Sequence, residues 1–244
     1  MPLTIRTTLS HANVADAEVI KIDGKPCVAF AASAHGGTER LWFCFRIANG
    51  KALQKTRGPM MLLLKHCESM LGGGRPENIQ PVIRYGQGDW QRLDRGKPAP
   101  TEDGRLGAWW QIEAPDVYAD IAACYPYGMR ELNQLLHELG GRYRADAIGL
   151  SQGDRHLMRL SNDLGEPNGS RPGIYCIARQ HAGETPASWV LDGLLRHLAT
   201  LGERGPLIWT APLADIDGIE QGDYGKTHPA ADMYYAWTGE HRRH

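Results

Sequence analysis

His181 and Glu184 stand three residues apart in the run Arg179-Gln180-His181-Ala182-Gly183-Glu184-Thr185-Pro186-Ala187-Ser188-Trp189, and no other pair in the chain is so well suited to chemistry by type and spacing. On a turn that enters a helix, this spacing aims an imidazole nitrogen and a carboxylate oxygen at one point, as a zinc ion requires at bond lengths of about 2.0–2.2 Å. Gly183 lets the backbone bend tightly between them. The pair also has a plain reading: a surface histidine followed by a glutamate that the helix dipole favours at an N-terminus. Spacing alone does not separate the two.

The elements that must position this pair are a strand before it and a helix after it. Gly173 to Ala178 is short, continuous and apolar, like a buried parallel strand. Val190, Leu194, Leu195 and Leu198 recur at helical steps and end around Gly202, and Leu207 to Thr210 reads as the next strand. Strand, helix, strand is a βαβ unit and implies a parallel sheet with helices on its faces. Open sheets of this kind bind ligands outside the carboxyl ends of their strands, where His181 and Glu184 fall. Upstream, Met129, Leu132, Leu135, Leu136 and Leu139 predict an amphipathic helix stopped by Gly140-Gly141, followed by a strand over His156 to Leu160.

The first half reads differently. Ala17 to Ile22, Cys27 to Ala32 and Leu41 to Ile47 are strand-like, and Asp23-Gly24 between the first two is a hairpin signal. Leu41, Phe43, Phe45 and Ile47 alternate with Trp42, Cys44 and Arg46, which is the period of a strand with one strongly apolar face. Pro81 to Tyr85 and Ala108 to Glu113 continue the pattern, so this half is expected to be an all-β sandwich. The change of period lies near residues 115 to 125. We draw domains at 1–118 and 119–244.

Composition excludes several classes. The 244 residues carry 27 Lys+Arg against 28 Asp+Glu, a net charge of −1, with the cations scattered, so the charge argues against nucleic acid as a partner. Cys27, Cys44, Cys67, Cys124 and Cys176 are odd in number and form no Cys-x-x-Cys pair, which fits reduced thiols. Met1 to Ser10 holds no apolar signal-peptide core. The longest wholly apolar run, Cys27 to Ala32, is far too short to span a membrane. A soluble cytoplasmic protein is expected.

The stretch Pro172 to Ala199, with its strand, His-x-Gly-Glu turn, Thr-Pro-Ala-Ser-Trp and leucine-rich helix, closely resembles the zinc metallocarboxypeptidases, in particular their cytosolic branch. That branch usually has Pro where Ala182 stands. Tyr125-Pro126-Tyr127 resembles the opening of the catalytic domain. Trp42-Phe43-Cys44-Phe45-Arg46, with Val82 to Tyr85, resembles the β-sandwich that precedes it. The resemblance implies an α/β fold class: an N-terminal antiparallel β-sandwich followed by an incomplete carboxypeptidase-like α/β domain with a mixed, mainly parallel sheet. It implies zinc held by His181, Glu184 and a later histidine, with an activated water as nucleophile, a downstream glutamate as general base and arginines that clamp a substrate carboxylate.

Several of those parts have no counterpart here. Asp217-Gly218 and Asp232-Met233-Tyr234-Tyr235-Ala236-Trp237 line up with a family stretch ending Asp-Leu-Asn-Arg-x-Trp, so Tyr234 and Tyr235 occupy the Asn and Arg places. Tyrosine cannot replace a planar bidentate donor. An earlier family arginine falls at Gly225, beside Lys226, which offers a point charge instead of a fork. Substrate contacts are therefore assigned to Lys226, Tyr234 and Tyr235. The third ligand and the general base normally lie well beyond Trp237, leaving the catalytic residue unassigned, and only as terminal residues could His241 or His244 stand in. We expect the front portion of a longer enzyme; the other explanation is a complete but degenerate relative.

The expected function is zinc-dependent hydrolysis of a C-terminal peptide or isopeptide bond, with a peptide or protein C-terminus as partner. The alternatives are a zinc amidase or deacylase for small acylated amino acids and a non-catalytic binding module. Other features have ordinary explanations. His197 is a helix residue and His228 a loop residue, the latter bordering the family's substrate region. Gly72-Gly73-Gly74 lacks the Lys-Ser/Thr of a phosphate loop. Trp90, Trp109 and Trp110 fit sandwich core or interface, and Ser151 and Ser188 have no base beside them. Cys176 reads as a small core residue.

Overall fold

A computed structural model describes residues 3–35, 40–49, 58–70, 74–162 and 171–225. The chain divides into two compact units: one runs to Tyr125 and includes Gln221–Asp223, and the other comprises Pro126–Glu220 and resumes at Tyr224. Tyr118, the last residue of the sandwich as read from the sequence, opens a strand of the first unit.

Among the described residues, ten strands build the first unit: β1 Thr4–Arg6, β2 Ala15–Ile22, β3 Lys25–Ala31, β4 Cys44–Ala48, β5 Pro59–Leu64, β6 Val82–Tyr85, β7 Gln91–Arg92, β8 Lys97–Pro100, β9 Leu106–Glu113 and β10 Tyr118–Ala122. They form two five-stranded sheets, ordered β2-β3-β5-β9-β8 and β1-β4-β10-β6-β7. The pairings are antiparallel except for β3 beside β5, which run parallel. Asp23 and Gly24 both take positive φ, 50° and 75°, the geometry of a two-residue hairpin whose twist matches its strands. Period-two alternation turns Val28, Phe30, Met60, Leu62, Trp110 and Ile112 of one sheet toward Phe45, Ile47, Ile83, Ala119 and Ile121 of the other, and these residues form one core. Each large side chain buried there contributes roughly 1.5–3 kcal/mol. Trp42 and Phe43 are buried but precede β4; Trp42 Nε1 donates to the His11 carbonyl at 2.9 Å, and the Phe43 carbonyl accepts from the Ala123 N–H at 2.9 Å.

The second unit has four described strands, β11 Arg144–Leu150, β12 His156–Ser161, β13 Gly173–Ile177 and β14 Leu207–Ala211, ordered β11-β12-β14-β13. Only β13 and β14 run parallel among them; β11 and β12 are joined by a short hairpin, which forces the antiparallel arrangement. Helices α1 Met129–Glu138, α2 Thr185–Leu201 and α3 Ile216–Gln221 accompany this sheet. The Gly128 N–H at the start of α1 donates to the Glu131 carboxylate at 2.9 Å, half of a capping box, since glycine has no side chain to return the bond. Helix α2 starts with Pro186 in its first turn and ends at Gly202, φ 55°.

Two sequence expectations are corrected here. Strand β13 is not buried on both faces: it is the edge of the described sheet, and Tyr175 is 63% exposed. The apolar stripe of α2 runs through Ser188, Leu191, Leu195 and Leu198, while Val190 is 72% exposed. Val190 lies about 100° round the helix from Leu191, so Leu191, at the i−4 and i−7 positions of Leu195 and Leu198, takes the inward place. The inward face meets Leu132, Leu135, Leu160, Ile208 and Ala178 in the second core.

Candidate metal centre

His181 and Glu184 lie on the turn that carries the chain from β13 into α2. Ala178 continues the parallel ladder, its N–H donating to the Ala211 carbonyl at 3.0 Å, and its own carbonyl accepts from Ala214 N–H at 3.0 Å. Arg179 then reverses the chain with φ 62°, a left-handed conformation unusual for a residue bearing a Cβ. The Glu184 N–H bonds the His181 carbonyl at 3.1 Å, and the Thr185 N–H bonds the Gly183 carbonyl at 2.9 Å, so the turn is closed before α2 begins. Glu184 is the N-cap residue of α2, where the dipole favours negative charge.

The turn brings the two side chains together. His181 Nδ1 is 3.0 Å from Glu184 Oε1, with the imidazole 11% and the carboxylate 43% exposed. Donors on adjacent corners of a zinc tetrahedron with bonds of about 2.1 Å stand roughly 3.4 Å apart. An imidazole nitrogen and a carboxylate oxygen are both donor types that zinc accepts, so the pair fits the ion in chemistry; as they stand, the two atoms are at hydrogen-bonding distance, a little inside that separation. Beside them the Thr185 hydroxyl, fully buried, has no hydrogen-bond partner among the described residues. No cluster of three or more His, Cys, Asp or Glu forms a metal site among the described residues.

Two neighbours that sequence reasoning did not single out hold the turn. Arg179, only 2% exposed, sends Nε to the Ala182 carbonyl at 2.7 Å and Nη2 to the same oxygen, while Nη1 reaches the Tyr127 carbonyl at 2.6 Å. Burial pulls this guanidinium down to about 10, an effect partly offset by the charges of Asp215, Glu131 and Glu184. On the other side, the Tyr224 carbonyl accepts the Gly183 N–H at 2.8 Å, and its ring fills the space a Gly183 Cβ would need. Gly225, φ 102°, lies so close that an added Cβ would stand 2.6 Å from the Ala182 nitrogen and 2.7 Å from His181 Cα. The one sequence signal for Arg179 was a charged residue directly after an apolar strand; Gly225 was marked only as the place of an expected arginine, and Tyr224 left no signal.

Tyr127 extends the support. Its hydroxyl donates to Asp192 Oδ2 at 2.9 Å, and its ring meets Trp189 edge-on at 4.9 Å between centroids. Asp192 Oδ1 in turn accepts from Arg196 Nε at 2.5 Å, one helical turn further along α2. Tyr125-Pro126-Tyr127 thus matters through Tyr127, which is buried beneath the turn.

The remaining sequence candidates separate clearly. Lys226, Tyr234 and Tyr235 lie outside the described residues, as do His228, Asp232, Trp237, His241 and His244. His197 is exposed on α2. Ser151 donates to Asp217 at 2.8 Å as part of a hairpin clamp, and Ser188 donates to the Pro212 carbonyl at 3.1 Å. Trp110 is core, and Trp109 and Trp90 lie against Lys97 and Arg84. Cys176 packs against the second core.

No protein-family model matches the chain. Among curated proteins it is similar to cytosolic carboxypeptidase 6 of Mus musculus, 25% identical over 219 residues that cover 81% of this chain and 39% of the relative. Among solved structures it is similar to a metallo-carboxypeptidase from Burkholderia cenocepacia, with a TM-score of 0.74 at 18% identity over 98% of this chain and 63% of that one. A metallo-carboxypeptidase from Pseudomonas aeruginosa in complex with (2-guanidinoethylmercapto)succinic acid gives a TM-score of 0.72 at 22% identity, covering 97% and 62%. The structural likeness is one of fold, and the chain spans about two fifths of the length of the mouse relative.

Proposed function

Because the chain is a low-identity relative of the metallo-carboxypeptidases of the cytosolic branch, we propose that it supplies His181 and Glu184 as zinc ligands to a hydrolase that removes residues from the C-terminal end of peptides or proteins. The observation that carries this reading is the 3.0 Å approach of His181 Nδ1 to Glu184 Oε1 on a turn at the carboxyl edge of the sheet. When bound, zinc supplies Lewis-acid polarisation of a carbonyl and a water that is nucleophilic near neutral pH. The residues themselves orient the donors: His181 projects from a turn closed by the Glu184 N–H, and Glu184 is anchored at the start of a 17-residue helix. Lys226, Tyr234 and Tyr235 are proposed to contact substrate. The relatives named cytosolic agree with a cytoplasmic location, and no helix among the described residues is long and apolar enough to cross a membrane.

A second reading is favoured by Gly225, which stands where the resemblance calls for an arginine. Its φ of 102° and its contact with the His181 backbone leave no room for a longer side chain in this conformation. Without that fork a peptide's C-terminal carboxylate loses its planar clamp, which weakens the carboxypeptidase reading and leaves a zinc amidase or deacylase acting on small acylated amino acids as the second one. Elemental analysis of the purified chain tests the common premise. Measured on this chain and on any longer form that its gene encodes, zinc near one per chain in the longer form and its loss there in His181→Ala are expected; no zinc in either form overturns both hydrolase readings and favours a binding module. Release of C-terminal residues from peptides, compared with hydrolysis of N-acyl amino acids, then separates the two.

A further inference from the structure

The peptide unit between Ala182 and Gly183 is the middle of the three that join His181 to Glu184, and both of its polar groups are held. Its carbonyl oxygen accepts two N–H groups from Arg179, and its N–H donates to the Tyr224 carbonyl at 2.8 Å. A peptide unit is a rigid plane, so pinning both ends removes rotation about the bonds on either side of it. Those rotations set the distance between the His181 and Glu184 side chains.

Arg179 is an improbable residue for stability alone. It adopts φ 62°, where a Cβ is strained, and it buries a guanidinium whose hydrogen bonds go to main-chain carbonyls. Buried arginines are ordinarily matched by a carboxylate at hydrogen-bonding distance. The planar fork does what a single ammonium cannot: Nε and Nη2 grip the Ala182 oxygen together while Nη1 reaches the Tyr127 carbonyl at 2.6 Å. The other end of this brace, Tyr127, is itself fixed to α2 through Asp192, so the turn is referenced to the helix that Glu184 begins.

We propose that Arg179 is the positioning residue of the metal turn, holding the Ala182–Gly183 peptide plane so that His181 and Glu184 present their donors at ligand spacing. This rests on the reading of that turn as a zinc site. Charge and geometry make opposite demands here, which makes the proposal testable. A guanidinium close to a dication opposes metal binding, so removing it on electrostatic grounds alone tightens zinc; removing a brace loosens it.

The test measures zinc affinity of the protein in the longest form that its gene encodes, by competition with a chromophoric chelator, with the Co2+ absorption spectrum as a report on ligand geometry. Arg179→Gly is the informative variant, because glycine is at home at φ 62° and relieves strain while it deletes the fork. Folded Arg179→Gly is expected to bind zinc about tenfold to a hundredfold more weakly, as loss of an outer-shell partner does elsewhere, with an altered Co2+ spectrum. Arg179→Lys, which keeps the charge and can reach one carbonyl, is expected to recover part of the affinity. Wild-type or tighter zinc binding in folded Arg179→Gly overturns the proposal. Should circular dichroism show that variant unfolded, Arg179→Lys decides: weaker zinc and a changed spectrum support the brace, and unchanged values overturn it. A wild type that binds no zinc overturns the zinc reading itself, and this inference with it.

Discussion

Two arginine environments, one in each unit, show how differently the same side chain is used: half-buried Arg46 and Arg84 around a buried carboxylate, and fully buried Arg179. On the β1-β4-β10-β6-β7 sheet, Arg46, Asp120 and Arg84 stand directly opposite one another on adjacent strands. Asp120, with no exposed side-chain surface, takes Arg46 Nε at 2.6 Å and Nη2 at 3.0 Å, and Arg84 Nη2 at 2.9 Å. Its hydrogen bond raises the Arg46 guanidinium above its ordinary range. At the turn after β13, burial instead lowers Arg179 to about 10, and the fork is spent on carbonyl oxygens. The first arrangement ties three strands in register through opposite charges. The second orders one peptide unit beside the candidate zinc ligands.

The largest expected effect falls on the metal. His181→Ala should weaken zinc binding on the order of a thousandfold or more, because a protein ligand carries much of a site's free energy, while thermal unfolding of the first unit stays put. Equal zinc affinity in variant and wild type would remove the basis for contrasting the two arginines. Asp120→Ala makes the reverse prediction. Two half-buried guanidinium groups lose their shared carboxylate, costing about 1.5–3 kcal/mol of stability, measurable by denaturant unfolding, with zinc affinity unchanged. A drop in zinc affinity comparable with that of His181→Ala would show that the two regions are not independent.

Gly183→Ala sharpens the contrast from the turn itself. The new methyl is driven into the Tyr224 ring, and the repacking should cost about 1–3 kcal/mol and loosen zinc as well. A variant with wild-type unfolding and zinc affinity would mean that Tyr224 yields freely. The smallest effect belongs to Asp217, where burial pushes the carboxyl up but the Gly153 N–H, the Ser151 hydroxyl and Arg155 more than offset it, so its folded value lies below the usual one. A depressed carboxyl contributes stability that is complete above its unfolded value of 3.8 and disappears as pH falls through the folded one. Asp217→Asn should therefore cost about 1 kcal/mol near neutral pH, with the gap to wild type closing as the solution is acidified below about 4. A gap independent of pH would assign the clamp to packing instead of charge.

Much of the local structure was written in residue order. Asp23-Gly24 turned where a hairpin needs two positive φ angles, and Met129–Glu138 became a helix capped by Leu139 just before Gly140. The strand-turn-helix around His181 and Glu184 was legible because strand and helix periods differ and Pro186 marks a helix start. Long-range matters were not legible. The parallel pairing of β3 with β5, the exposure of Tyr175 and the inward place of Leu191 depend on what each element packs against, which periodicity does not encode.

The sequence by itself therefore determined which residues could act as donors and that a turn would carry them, since backbone propensity and three-residue spacing are local properties. Only the tertiary structure decided how that turn is held. Tyr127, 52 positions before Arg179, and Tyr224, far beyond α2, meet the Ala182–Gly183 region through folding alone. The reason is physical: a buried peptide group must find a hydrogen-bond partner, and in this chain those partners are main-chain carbonyls and a guanidinium that only the packed core brings within reach.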